Sequence, residues 1–282
     1  MRDYVLTRLA LAAATVLGAA ALLFLVLDIL PGAGGTDRPA WARFLGLFIG
    51  DTGTPNTFGD RLAVTLPLAL LALLVAALVG VGLGLAAGRY RGLVDRLVRT
   101  AAGPLALVPP FWLGMLLALL FAGLLKWLPA GGFVPWGDSP PAALASLLLP
   151  AAALGLPYAG QLALRVRRAF AAIDARELSR LRADGVAVEQ AAWQLGLADV
   201  LTDLPQTLGR TFAALLIGSA LVESVFYLPG LGRQILAAAE QHDLTLLRGG
   251  LLVLVLVATI GALLLALLRL LTDPAMRREL QR

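Results

Sequence analysis

The sequence contains no cysteine, one lysine (Lys126) and one histidine (His242) among its 282 residues. Without cysteine there can be no disulfide, thiolate nucleophile or thiolate metal site. A single histidine excludes paired-histidine zinc chemistry of the HExxH kind. A Ser/His/Asp triad would have to use His242, which has no Gly-x-Ser-x-Gly companion. A P-loop needs Gly-rich turns leading into Lys. The single lysine stands after "FAGLL" instead, so any ATP hydrolysis must reside on another chain. Charge is also scarce: 15% of residues are charged, against about 25% in a soluble domain.

What fills the chain is apolar. Hydrophobic residues make up 59% and the mean hydropathy is +0.85. They fall in blocks of about 20 residues, enough to cross a hydrocarbon core of roughly 30 Å. The blocks predict an all-α integral membrane protein with six spans, near 9–30, 62–87, 101–125, 144–164, 207–228 and 249–271. The opening run is long for a signal-peptide core and is read as an uncleaved first span. Asp28 falls near the far end of that span and is read as an interface or loop-capping group. The third span carries Pro104, Pro109 and Pro110, and the fourth Pro150 and Pro157. Proline kinks a membrane helix and frees carbonyls that need partners inside the bundle. Pro109, Pro110, Tyr158 and Gln161 are therefore candidate pore-lining residues, although Tyr158 and Gln161 also suit packing between helices.

The formal charge of +5 would suggest nucleic acid in a soluble protein; here it follows from topology. With both termini on one side, 17 of the 23 basic residues share that side and six lie opposite. Cytoplasmic loops collect Arg and Lys, which places both termini in the cytoplasm. Trp41, Trp127 and Trp136 then fall in outer segments. The cytoplasmic stretch 165–206 reads as helix, break at Gly185, helix. Within the second span, "GVGLGLA" (80–86) imitates a dinucleotide loop, but it has no flanking strand. Gly80, Gly84 and Gly88 recur every fourth position and suit close helix packing instead.

The fifth span ends in "VESVFYLPGLGRQI" (222–235). A carboxyl group at the edge of a membrane needs a partner. Glu223 is read as pairing with a cation such as Arg233, or as accepting N–H bonds that pin the Pro229-Gly230-Leu231-Gly232 turn. A role in gating or in contacting a substrate amine stays open. Glu223, Pro229, Gly230, Gly232 and Arg233 together make the candidate outer gate or pore-mouth loop.

This stretch resembles the "ET-x-F-x-x-PGLG" signature of the dipeptide/oligopeptide/nickel permeases of bacterial ABC importers. Other segments resemble the family in order. "MRDYVLTRLALAAATVLGAAALLFLVLDILPG" is similar to its opening, and "DRLAVTLPLALLALLVAALVGVGLGLAAGRYRG" to its second span. "VPPFWLGMLLALLFAGLLKWLPAGGF" and "LLTDPAMRREL" match its third-span region and tail. The resemblance runs nearly end to end and implies a type I ABC importer permease fold. Residues 1–60 would form an N-terminal helix and short outer segment, 61–272 the transmembrane core, and 273–282 a cytoplasmic tail. It implies a second homologous permease subunit, two ATPase subunits that carry the ATP and Mg, and an external binding protein that delivers di- or oligopeptides. This chain itself would hold no cofactor, act as no enzyme and bind no nucleic acid. "RADGVAVEQ" occupies the place of the family's coupling loop, which makes Arg182, Ala183, Asp184, Gly185, Val186, Glu189 and Gln190 the candidate ATPase-coupling residues. Asp184 and Glu177 depart from the family's basic residue and tyrosine, and Pro205 sits later than the pattern has it. These departures imply acidic contacts with the ATPase or altered coupling. The outer segment 31–61 is short for the family. The same architecture importing nickel complexes, glutathione or another small solute is the alternative. A stand-alone secondary transporter or channel is the alternative of a different class, but the spans are nearly free of the charges that ion coupling would use.

Overall fold

The structure is a computed structural model that describes residues 2–29, 57–90, 92–173 and 187–268. Among these residues every regular element is a helix. In chain order they are α1 (Arg2–Ile29), α2 (Thr57–Arg89), α3 (Leu93–Leu105), α4 (Pro110–Leu117) with a π-helical continuation (Ala118–Leu124), α5 (Pro140–Ala171), α6 (Val188–Val225), α7 (Leu231–Glu240) and α8 (Leu244–Leu267). Four of them, α2, α5, α6 and α8, are long and apolar enough to cross a membrane. The helix α1 has 28 residues, with an apolar stretch at Leu9–Ala19, and packs along α8.

The expected third span at 101–125 is not one helix. The chain bends by 102° between α3 and the α4–π segment. Pro109 is the N-cap of α4 and Pro110 its first residue. A proline at that position lacks an N–H the helix could not have used, so the break is a natural start. The helix α3 before it is amphipathic, with Val98 and Ala102 buried and Arg96 and Arg99 exposed. By contrast, Pro150 and Pro157 lie buried within α5, which continues unbroken past both. Pro205 is likewise internal to α6.

The centre of the bundle is the α2–α5 contact, the most extensive among the described residues. Gly80, Gly84 and Gly88 form its seam. A Cβ on Gly80 would stand 2.7 Å from Ala159 O, and one on Gly84 would stand 2.7 Å from Val166 Cγ1. Gly88 presses on the Phe170 ring. Removing three side chains lets the two backbones approach and gain dispersion contact, which replaces hydrophobic driving force inside a lipid phase. Leu68, Leu147, Leu154, Leu215, Leu216 and Phe226 complete the core between α2, α5 and α6.

At 38 residues, α6 is about 57 Å long at 1.5 Å per residue, well beyond the roughly 30 Å core. The helix of the expected fifth span thus begins near residue 188 rather than 207 and takes in the second helix expected in segment 165–206. The first is the end of α5. Gly185, where the break was expected, lies outside the described residues, as do Arg182, Ala183, Asp184 and Val186.

Candidate functional site

Two sets of residues converge, one at each end of the α2–α5–α6 bundle. The first is built around Glu223, which is fully buried. The last turn of α6 ends in a Schellman arrangement. The Leu228 N–H donates to Glu223 O at 2.9 Å and the Tyr227 N–H donates to Ser224 O at 3.4 Å. Tyr227 has φ 54°, the left-handed conformation that this cap requires and that glycine usually supplies. The chain then reverses through Pro229 and Gly230 into α7.

The Glu223 side chain points back at that reversal. Its Oε2 accepts the Arg233 N–H at 2.8 Å. Its Oε1 accepts the Thr65 hydroxyl at 2.8 Å and faces Ser219 Oγ at 3.0 Å. Thr65 Oγ1 in turn accepts the Leu231 N–H at 2.8 Å. Leu231 and Arg233 lie in the first turn of α7, where four N–H groups have no partner within the helix. The carboxyl group therefore satisfies this helix start from another element, one bond directly and one through Thr65, and it sits at the positive end of the α7 dipole. The Arg233 guanidinium is elsewhere, over the Tyr227 ring at 5.3 Å from its centroid.

The two glycines of the turn are required by proximity. Gly230 has extended backbone (φ −89°, ψ 174°) open to any residue, but a Cβ there would collide with the Glu223 carboxyl group. A Cβ on Gly232 would lie 2.6 Å from Ala220 Cα. A third strand of chain closes over this end. The Gly132 N–H donates to Phe226 O at 2.8 Å, and Gly131 leaves room for that carbonyl. Trp136 Nε1 donates to Ala63 O at 2.8 Å. The "LPAGGF" (128–133) and "FYLPGLG" (226–232) stretches, far apart in sequence, thus form one cap. Thr65, Ser219 and the Gly132–Phe226 bond were not read from the sequence. The signal was a hydroxyl in each of two apolar spans, and only the packing reveals that both face Glu223.

The second set lies at the opposite, arginine-rich end. Of the candidate coupling residues, Glu189 and Gln190 are described, and both are exposed at the start of α6. Arg89 at the end of α2 approaches Glu189 at 3.8 Å. Beside them Trp193 stacks on Phe170, with ring centroids 5.2 Å apart, and Gly196 accommodates the Phe170 ring. Arg167 is bound to Asp95 through Nε and Nη2, which ties α3 to α5. Tyr158 and Gln161 line a cavity between α5 and α6, and Gln161 Nε2 donates to Ala106 O at 3.4 Å. Pro109 and Pro110 form the break next to it. No group of three or more His, Asp or Glu side chains that could hold a metal occurs among the described residues.

Comparison with known proteins follows the same lines. The family profile described as "Binding-protein-dependent transport system inner membrane component" matches residues 80–278. A protein provisionally named a peptide transport system permease, from Brucella abortus (strain 2308), is 31% identical over 317 aligned positions, covering 99% of this chain and 100% of its own. A glutathione transport system permease protein from Salmonella typhimurium (strain LT2) is 30% identical over 312 positions, covering 98% and 99%.

Proposed function

The chain belongs to the family of binding-protein-dependent transport system inner membrane components, and on that premise we propose that it forms one half of the translocation path of an ATP-driven importer of di- or oligopeptides. Its family makes it a multi-pass membrane transport component and implies ATPase and binding-protein partners. The finer reading is one second homologous permease subunit, two ATPase subunits that hold the ATP and Mg, and one external binding protein. Both termini and the arginine-rich end face the cytoplasm. The Glu223 cap faces outward, where the binding protein would deliver cargo. Glutathione, itself a tripeptide, falls within this cargo class.

The observation that carries the mechanism is that two helices run the whole distance between the two sets of residues. The helix α2 has Arg89 at one end and Thr65 near the other; α6 has Glu189 at one end and Glu223 at the other. A docked ATPase that displaces segment 182–190 would move the ends of both helices. Helices transmit such a push as rigid bodies, and their far ends share the Thr65–Glu223 bond. The cap on α7 then moves as a unit with the mouth of the path instead of unravelling. In this reading Glu223, Pro229, Gly230, Gly232 and Arg233 are gate-loop residues that work through shape.

The test is purification of the tagged chain from native membranes in mild detergent. We expect a second permease and nucleotide-hydrolysing subunits to be retained. A chain that emerges alone and still moves solute down an ion gradient would instead support a secondary transporter.

A further inference from the structure

The helices α5 and α6 pass each other antiparallel, as shown by Arg165 meeting Asp203 and Leu154 meeting Gly218. Near the arginine-rich end each presents a polar stripe to the other. On α5 it is Tyr158, Gln161, Arg165 and Arg168; on α6 it is Thr207, Arg210 and Thr211. Spacings of three and four residues keep each set on one helix face. Between the stripes and the Ala106 break lies a cavity of about 430 Å³.

Among the described residues, three arginines line this cavity and no carboxyl group does. Arg165 is neutralised from behind: Nε donates to Asp203 Oδ2 at 2.7 Å and Nη2 donates to Oδ1 at 3.4 Å. Thr207 Oγ1 also donates to Asp203, at 3.0 Å. Asp203 and Asp199 line the adjoining cavity, and Arg210 lies within electrostatic reach of Asp203. Arg168 donates Nε to Leu164 O of its own helix at 3.2 Å. Asp199 and Asp203 together answer two of the three arginines, which leaves an excess of one positive charge on an open wall. Topology alone needs arginines but not the accompanying Tyr, Gln and Thr groups that continue the stripe into the span. Polar and ionisable groups placed so face water-filled paths.

We propose that this cavity is an anion-receiving station at the cytoplasmic mouth of the path, and that it takes the carboxylate of the cargo as it leaves. The proposal rests on the peptide-importer reading and adds a site to it. A guanidinium pairs with a carboxylate through two parallel N–H bonds. An exposed wall holds the anion loosely enough to release it. A lipid phosphate has related chemistry, so the test must tell the two apart.

Because this chain lacks cysteine, the complete transporter with the unaltered chain, held in nanodiscs, reports any partner thiols, and the reactivity added by Thr211→Cys is the reporter. Its reaction with anionic sulfonatoethyl and cationic trimethylammonioethyl methanethiosulfonate is timed, each rate normalised to that with free cysteine. Charge focusing by the arginines should favour the anionic reagent by about tenfold or more. The preference should collapse in Arg168→Gln/Arg210→Gln. A dipeptide with a free carboxylate should slow the anionic reagent, and its C-terminal amide should not. Nanodiscs with and without anionic lipid should give the same rates. Equal reagent rates, no reaction, or equal protection by acid and amide would overturn the proposal. So would a preference that grows when anionic lipid is withdrawn, which would assign the site to headgroups. These results in an intact, ATP-hydrolysing complex count against the station alone, whereas absence of ATPase subunits counts against the importer reading.

Discussion

Glu223 serves three donors with two oxygens, and its replacements should separate geometry from charge. Glu223→Gln can turn its amide oxygen to the Arg233 N–H while the two hydroxyls adjust, so folding and transport should change little. Glu223→Ala leaves the part-buried Arg233 N–H and the buried Thr65 hydroxyl without this acceptor, at about 1–3 kcal/mol each when fully buried and less for the Arg233 N–H. It should lower the melting temperature of the purified complex and slow transport of neutral and cationic peptides alike. A loss confined to cationic peptides, equal in Gln and Ala, would show that Glu223 reads substrate charge. Gly230→Ala should resemble Glu223→Ala in the same melting and uptake assays, because its Cβ displaces the carboxyl group. The sequence made a pinned turn legible, since a carboxyl group six residues before Pro-Gly in an apolar run needs nearby donors. It could not show that the donor is the Arg233 main chain rather than its guanidinium. Nor could it show that Tyr227 would take the left-handed position, because nothing local distinguishes that tyrosine from its neighbours.

At the level of elements, the α2–α5 seam was readable because glycine at every fourth position leaves a mark that survives without knowledge of the partner. Gly84→Val should force the helices apart at Val166 and Ala163. Overpacking of this kind costs about 1–3 kcal/mol, and should appear as a lower melting temperature with less assembled complex in size-exclusion chromatography. Gly82→Val, where a Cβ meets nothing within 4 Å, is the matched control and should be tolerated. The 102° bend was less readable. Apolar residues continue on both sides of Pro109, so hydropathy merges α3 and α4 into one span even though the prolines mark the break. The continuity of α6 was hidden for a different reason: a helix was expected after Gly185, but hydropathy begins the fifth span only near 207, so one helix was read as two elements. Helix propensity carries the chain through this stretch, where seven of the nine residues 190–198 are Ala, Gln or Leu.

For the whole molecule, orientation and coupling are the properties to test. Single cysteines replacing Ser139 or Gln241 should react with an impermeant thiol reagent in intact cells, whereas those replacing Thr100 or Ala172 should react only after permeabilisation. Labelling of Ala172→Cys from outside would reverse the orientation. Gly185→Arg should leave the chain inserted yet uncouple transport from ATP hydrolysis or release the ATPase subunits; normal transport with partners bound would remove segment 182–190 from the coupling role. Class and architecture were legible from apolar blocks, basic-residue asymmetry and ordered motifs. Cargo was not, because none of these features carries the shape or charge of a particular solute. The most direct test is therefore uptake by proteoliposomes that contain this chain together with the second permease and the ATPase subunits proposed for it. Accumulation of a labelled di- or oligopeptide is expected only when ATP is supplied on the ATPase side and the loaded binding protein on the other. Accumulation that proceeds without ATP, or that this chain supports alone on an ion gradient, would contradict the importer reading.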